Sequence, residues 1–95
     1  MRLFDKLDRN IDYNNYYTLR RAICILVNEF NLAEKNKNVL YARDILSTLK
    51  QIYDKLSGMY RESADYGETM SYMHKKWANV MRNFIADFIN RLKDF

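Results

Sequence analysis

Apolar residues recur along this chain with the period of helices. Over residues 2–11, Leu3, Phe4, Leu7 and Ile11 share one face at spacings of three and four, which predicts a short amphipathic helix or arm. Arg2, Lys6 and Arg9 form one polar stripe on it and Asp5, Asp8 and Asp12 another, and Asp5 and Arg9 are an i,i+4 pair of favourable order. Asp12, Asn14 and Asn15 follow with side-chain acceptors suited to a turn or a helix N-cap.

The stretch from Asn14 to Phe30, NNYYTLRRAICILVNEF, contains six consecutive apolar residues, Ala22 to Val27. Its flanks decide its structure. Tyr16, Leu19, Ile23, Leu26 and Phe30 repeat at three, four, three and four residues, predicting a helix from about Asn15 to Phe30 or Leu32. A strand would alternate, and six residues are too few to cross a bilayer. Within a helix the run wraps apolar surface most of the way round, so this helix is expected to be central. Ile25 and Val27 should then meet something beyond the main seam, either the N-terminal arm or a second copy of the chain.

NLAEKNKN, Asn31 to Asn38, is the first break, because asparagine tolerates the left-handed geometry that ends helices. Asn31 with Glu34 also fits a capping box, which leaves the boundary open. From Val39 to Ser63, Ala42, Ile45, Leu49, Ile52, Leu56 and Met59 form a heptad-like seam, widened by Leu46, Tyr53 and Tyr60. Gly58 lies late in this helix and marks either a close crossing or a frayed end. SADYGET, Ser63 to Thr69, is the second break, with Asp65 and Glu68 as a capping box or Thr69 as the cap. The last helix is expected from about Glu68 to about Lys93. Met70, Met73, Trp77, Val80, Met81, Phe84, Phe88 and Leu92 form its apolar face, extended by Ile85 and Ile89. Lys75, Lys76, Asn79, Arg82, Asn83, Asn90 and Lys93 lie opposite. The pattern predicts an all-α fold, a small up-down bundle of three long helices plus a short N-terminal helix, in one domain spanning residues 1–95.

Composition agrees. There is no Pro and there are two Gly in 95 residues, too few for the turns of a sandwich or barrel. A hydrophobic fraction of 48% argues against disorder. The formal charge of +4 permits an acidic partner without demanding one. The single cysteine, Cys24, has no partner for an internal disulfide, and neither a secretory leader nor a membrane-length window is evident, so a cytoplasmic protein is expected. Abundant Asn, Lys, Ile and Tyr suggest AT-rich coding DNA, as in low-GC bacteria and their mobile elements.

Sites for chemistry are sparse. His74 and Cys24 are the only histidine and cysteine, 50 residues apart, which makes neither a zinc site nor a convincing nucleophilic pair. The expectation is a core cysteine and a surface histidine. No glycine-rich phosphate loop is present. Asp5, Asp8 and Asp12, interleaved with basic residues, read as a solvated surface, and no acidic pair lies in an evidently apolar setting. No enzyme activity, cofactor, metal or small-molecule substrate is therefore expected. The eight tyrosines admit three readings: rim-of-core residues, a protein interface, or stacking platforms for single-stranded nucleic acid. The basic stripe of the last helix reads first as a solvated face, and the methionines around the second break as a soft core near one end. No motif ties the chain to a family. In particular, Trp77 is followed by Ala78 and Asn79, not by the Trp-x-Gly turn of helical secretion substrates.

The functional expectation is a non-enzymatic interaction protein, a phage- or mobile-element-encoded binder or inhibitor of a host macromolecule. It would act through a Tyr/Met-rich surface with a basic rim, comprising Tyr16, Tyr17, Arg20, Arg21, Tyr60, Met70, Met73, Lys75, Lys76 and Arg82. A protein partner is the first expectation, a homodimer would use the same surplus apolar surface, and a membrane is not expected. The alternative is nucleic-acid binding through the Tyr/Arg and Lys/Arg faces.

Overall fold

The computed structural model describes residues 2–63 and 68–95, without the side chains of residues 60–63 and 68–71. Residues 64–67 of the SADYGET break, and the side chains of Ser63, Glu68, Thr69, Tyr60 and Met70, lie outside the described residues, and so does the capping there. Four helices occur among the described residues, and no strand: α1 (Leu3–Asp8), α2 (Tyr16–Lys35), α3 (Val39–Ser63) and α4 (Glu68–Leu92). The chain is an all-α bundle of three long helices and a short N-terminal one.

Local chemistry sets the boundaries. Asn15 caps α2, its Oδ1 accepting from the backbone N–H of Tyr17 at 2.9 Å. Thr18 ties the preceding turn down, donating to the carbonyl of Asp12 at 2.7 Å while accepting from the Asp12 N–H at 3.0 Å. α2 runs further than its apolar pattern suggests, because Ala33 continues the seam and is buried. It ends in a Schellman motif: Asn38 N–H bonds to the carbonyl of Ala33 and Lys37 N–H to that of Glu34. The left-handed position falls on Lys37 (φ 58°), not on one of the neighbouring asparagines. Asn38 then caps α3, accepting from the Tyr41 N–H at 3.2 Å.

α3 is the spine. It packs most extensively along α4, next along α2, and also carries α1, whereas α2 and α4 touch each other much less than either touches α3. The seam residues Ala42, Ile45, Leu49, Ile52 and Leu56 are buried, as are Leu19, Ile23, Leu26 and Phe30 of α2 and Trp77, Met81 and Phe88 of α4. Phe30 and Phe88 stack in parallel with centroids 3.9 Å apart. Thr48, buried within the seam, satisfies its hydroxyl by donating to the Asp44 carbonyl one turn back at 2.8 Å. Gly58 is not a helix end, since α3 continues to Ser63, and among the described residues a Cβ there would meet nothing within 4 Å.

α1 packs on its own chain, with Leu3, Phe4, Leu7 and Ile11 against the core. Tyr13 holds it there. Its hydroxyl donates to Asp8 Oδ1 at 2.6 Å, Lys55 of α3 donates to both Asp8 oxygens at 2.9 and 3.2 Å, and the Lys55 ammonium lies 4.7 Å from the Tyr13 ring centroid. Burial pushes the Asp8 carboxyl up, but the Tyr13 hydroxyl and the Lys55 ammonium outweigh it and hold the group below its ordinary value. Burial, and then the Asp8 carboxylate, push the Tyr13 hydroxyl far up. Asp8 is therefore not part of a solvated acidic stripe.

His74 and Cys24 reverse their expected places. His74 is buried and donates from Nε2 to the Tyr13 carbonyl at 3.1 Å. The reason is phase: three and seven residues before Trp77 and Met81, it faces the core. Cys24 is exposed, because one step along the helix from Ile23 turns it off the seam. Ile89, expected on the apolar face, is 39% exposed.

Candidate functional site

α2 and α4 run parallel, since Tyr16 meets Trp77 near one end and Phe30 meets Phe88 near the other. Between these two points the helices leave a groove of about 280 Å³. It is lined by Arg20, Ile23, Cys24, Val27 and Asn28 of α2 and by Trp77, Val80 and Phe84 of α4. Val80 also borders two shallower clefts. One adjoins Tyr72, Lys75, Lys76, Asn79 and Asn83, and the other adjoins Asn83, Phe84 and Asp87.

The mouth at the Trp77 end is aromatic and basic. Tyr16 lies over Trp77 with ring centroids 5.2 Å apart, and Tyr17 meets Tyr16 edge-to-face at 5.5 Å. Lys76 Nζ is 6.0 Å from the Tyr16 ring centroid, the outer limit of a cation–π contact. Tyr17 is 76% exposed, so its ring is available to a partner. Trp77 is buried, and its Nε1 has no hydrogen-bond acceptor among the described residues. An unsatisfied buried donor of this kind costs about 1–3 kcal/mol.

The opposite end is internally neutralised. Arg91 donates to Glu34 through Nε at 3.0 Å and Nη2 at 2.7 Å, and also to Asn31 at 2.6 Å and Asp87 at 3.2 Å. Its guanidinium lies 4.8 Å from the Phe30 centroid, covering the stacked pair. The Arg91 hydrogen bonds, opposed by burial and reinforced by the charges of Arg91 and Lys37, hold the Glu34 carboxyl below the usual range.

Of the ten residues proposed from sequence, the structure gathers Tyr16, Tyr17, Arg20 and Lys76 around this mouth, and Lys75 lines the neighbouring cleft. Arg21 is turned to the other side of α2. There it borders a cavity of about 320 Å³ against Leu7, Asn10 and Ile11, and Ile25 lines the same space. Arg82 is exposed on the row of Lys75, a third of a turn from Lys76. Met73 is half-buried, packed against the core. Tyr60 and Met70 fall outside the described side chains. Cys24, Val27 and Phe84 were not singled out from sequence. The spacing of Arg20, Cys24 and Val27 at four and three residues was the available signal, hidden because the whole run is apolar.

No group of three or more His, Cys, Asp or Glu side chains able to hold a metal ion occurs among the described residues. Among them, no helix is long and apolar enough to cross a membrane. The described residues define a small all-α up-down bundle with one side of its core left open between α2 and α4. No family of known proteins matches the chain, nor does any curated protein or solved structure.

Proposed function

We propose that this chain is a non-enzymatic interaction protein that takes up a protein partner in the α2/α4 groove. The carrying observation is the convergence of Tyr16, Tyr17, Arg20 and Lys76 around Trp77 at the mouth of an apolar groove. Trp, Tyr and Arg set in or beside an apolar pocket are the side chains that dominate protein interfaces. Such a module acts by occupying a surface, which suits a phage- or mobile-element-encoded inhibitor of a host macromolecule. Nucleic-acid binding is the second reading. It is favoured by Tyr72, which is 71% exposed and borders the same cleft as Lys75 and Lys76.

Cys24 makes the test direct, because it is the only cysteine, is exposed and lines the groove. A photo-crosslinker attached to its thiol should capture an occupant in cells of the source organism. Tyr16→Ala and Lys76→Glu should abolish the capture while leaving the helical circular dichroism unchanged. Capture that survives both substitutions removes the groove from consideration. An adduct that is lost to nuclease selects the second reading.

A further inference from the structure

We infer that the occupant of the α2/α4 groove is an amphipathic helix of a partner protein, carrying carboxylates at the end that lies beside Trp77. The inference rests on the groove being the binding surface and adds the chemistry of what fills it.

Shape argues for a helix. The floor is formed by Ile23 and Val27, spaced i,i+4 on α2, and by Trp77, Val80 and Phe84, spaced i,i+3,i+7 on α4. Two parallel helices with such rows present the slot into which another helix packs ridge-into-groove. Each wall is helical, so the groove has no strand edge to pair an extended peptide's backbone. From Trp77 to Asp87 the α4 wall runs about 15 Å at about 1.5 Å per residue, enough for about three turns of an occupant.

Charge gives the occupant its polarity. Arg20 lines the groove beside Trp77, Lys76 stands next to it over Tyr16, and neither is in an ion pair among the described residues. At the far end Asp87 is already held by Arg91, and so is Glu34. Uncompensated positive charge is therefore confined to one mouth, and a complementary helix carries its carboxylates there and not along its length. Trp77 itself lies at the same place, against Tyr16, which is 38% exposed.

The same observations weigh against the other occupants. A second copy brings a further net charge of +4, and Asp8 of its N-terminal helix is already tied to Tyr13 and Lys55. Single-stranded nucleic acid would use the cations and tyrosines but leave Ile23, Val27 and Val80, an aliphatic floor, without a matching surface.

Trp77, the only tryptophan, reports on the groove directly. Three tryptophan-free helical peptides with one shared leucine stripe, ending in Glu, Gln or Lys, are titrated against the whole chain while its emission is followed. The Glu-ended peptide should shift the emission saturably and bind at least about ten-fold tighter than the Gln-ended one, with no saturation for the Lys-ended one. The double variant Arg20→Glu/Lys76→Glu should reverse that order, whereas Lys93→Glu, on the row of Lys75 and away from the groove, should not. Equal affinities, or an order that the double variant leaves untouched, overturn the inference. A shift produced by oligo-dT and not by any peptide, or Trp77 covered in a stable dimer seen by light scattering, also overturns it. If groove-dependent crosslinks form at Cys24 but the acidic peptide does not compete them away, the groove stands and the helix falls. If no crosslink forms, both fall.

Discussion

Replacing Asp8 by alanine tests how the N-terminal helix is held, and its cost can be worked from the contacts. The carboxylate accepts from the Tyr13 hydroxyl at 2.6 Å, a charge-assisted hydrogen bond. Such bonds contribute about 1.5–3 kcal/mol. The Lys55 contact at 2.9 Å joins side chains that are 46% and 28% exposed, so solvent screening limits it to about 0.2–1 kcal/mol. Asp8→Ala should therefore destabilise by roughly 1.7–4 kcal/mol, and Tyr13→Phe, which removes only the hydroxyl, by roughly 1.5–3 kcal/mol. Both changes delete the same bond. Once Tyr13 is Phe, losing Asp8 costs only the ion pair, so the double variant should show a coupling of about 1.5–2.5 kcal/mol. Thermal unfolding of the four proteins at pH 7 would show it, since each kcal/mol moves Tm by about 4–8 °C in a domain of this size. Repeating the cycle in about 1 M salt should erase the Lys55 remainder and spare the Tyr13 coupling. Additive losses, with a coupling under about 0.5 kcal/mol, would refute the shared bond as the clamp.

The same carboxylate predicts an acid limb. Its folded value lies below its ordinary 3.8, so its stabilisation is fully present above about pH 5 and is lost as pH falls through and below about 4. The gap in urea midpoint between the native chain and Asp8→Asn should hold from about pH 7 to 5 and narrow progressively as pH falls below about 4. Gly58→Ala places a methyl group into open space within a helix, and should raise stability by about 0.5–1 kcal/mol in denaturant titration. Lys37→Gly should gain up to about 1 kcal/mol by relieving the left-handed backbone, seen as a higher Tm. Phe88→Ala deletes half of the 3.9 Å stack with Phe30; a loss of about 3–5 kcal/mol is expected, read as a collapse of the cooperative thermal transition.

The sequence by itself determined the number, type and phase of the helices. The three-four spacing of Ala42, Ile45, Leu49, Ile52 and Leu56 dictates which side of α3 is buried, whatever it packs against. The N-caps Asn15 and Asn38 are equally local, and the Asn15 position was readable because an asparagine there precedes the first turn. Phase also held information that residue type concealed. His74 stands in step with Trp77 and Met81 and is buried despite its polarity, while Cys24 stands one step off the seam and is exposed despite its apolar neighbours. Only the tertiary structure decided the rest. That Asp8 is clamped depends on Tyr13 and Lys55, the latter 47 residues away. That Arg20 and Arg21 part company, one to the groove and one to the α1 side, depends on where α1 and α4 lie around α2. The open groove follows from α3 packing against both neighbours while α2 and α4 touch each other less, meeting at Tyr16/Trp77 and at Phe30/Phe88. Periodicity assigns an inward face to each helix, but it does not carry the distance between two helices that a third holds apart.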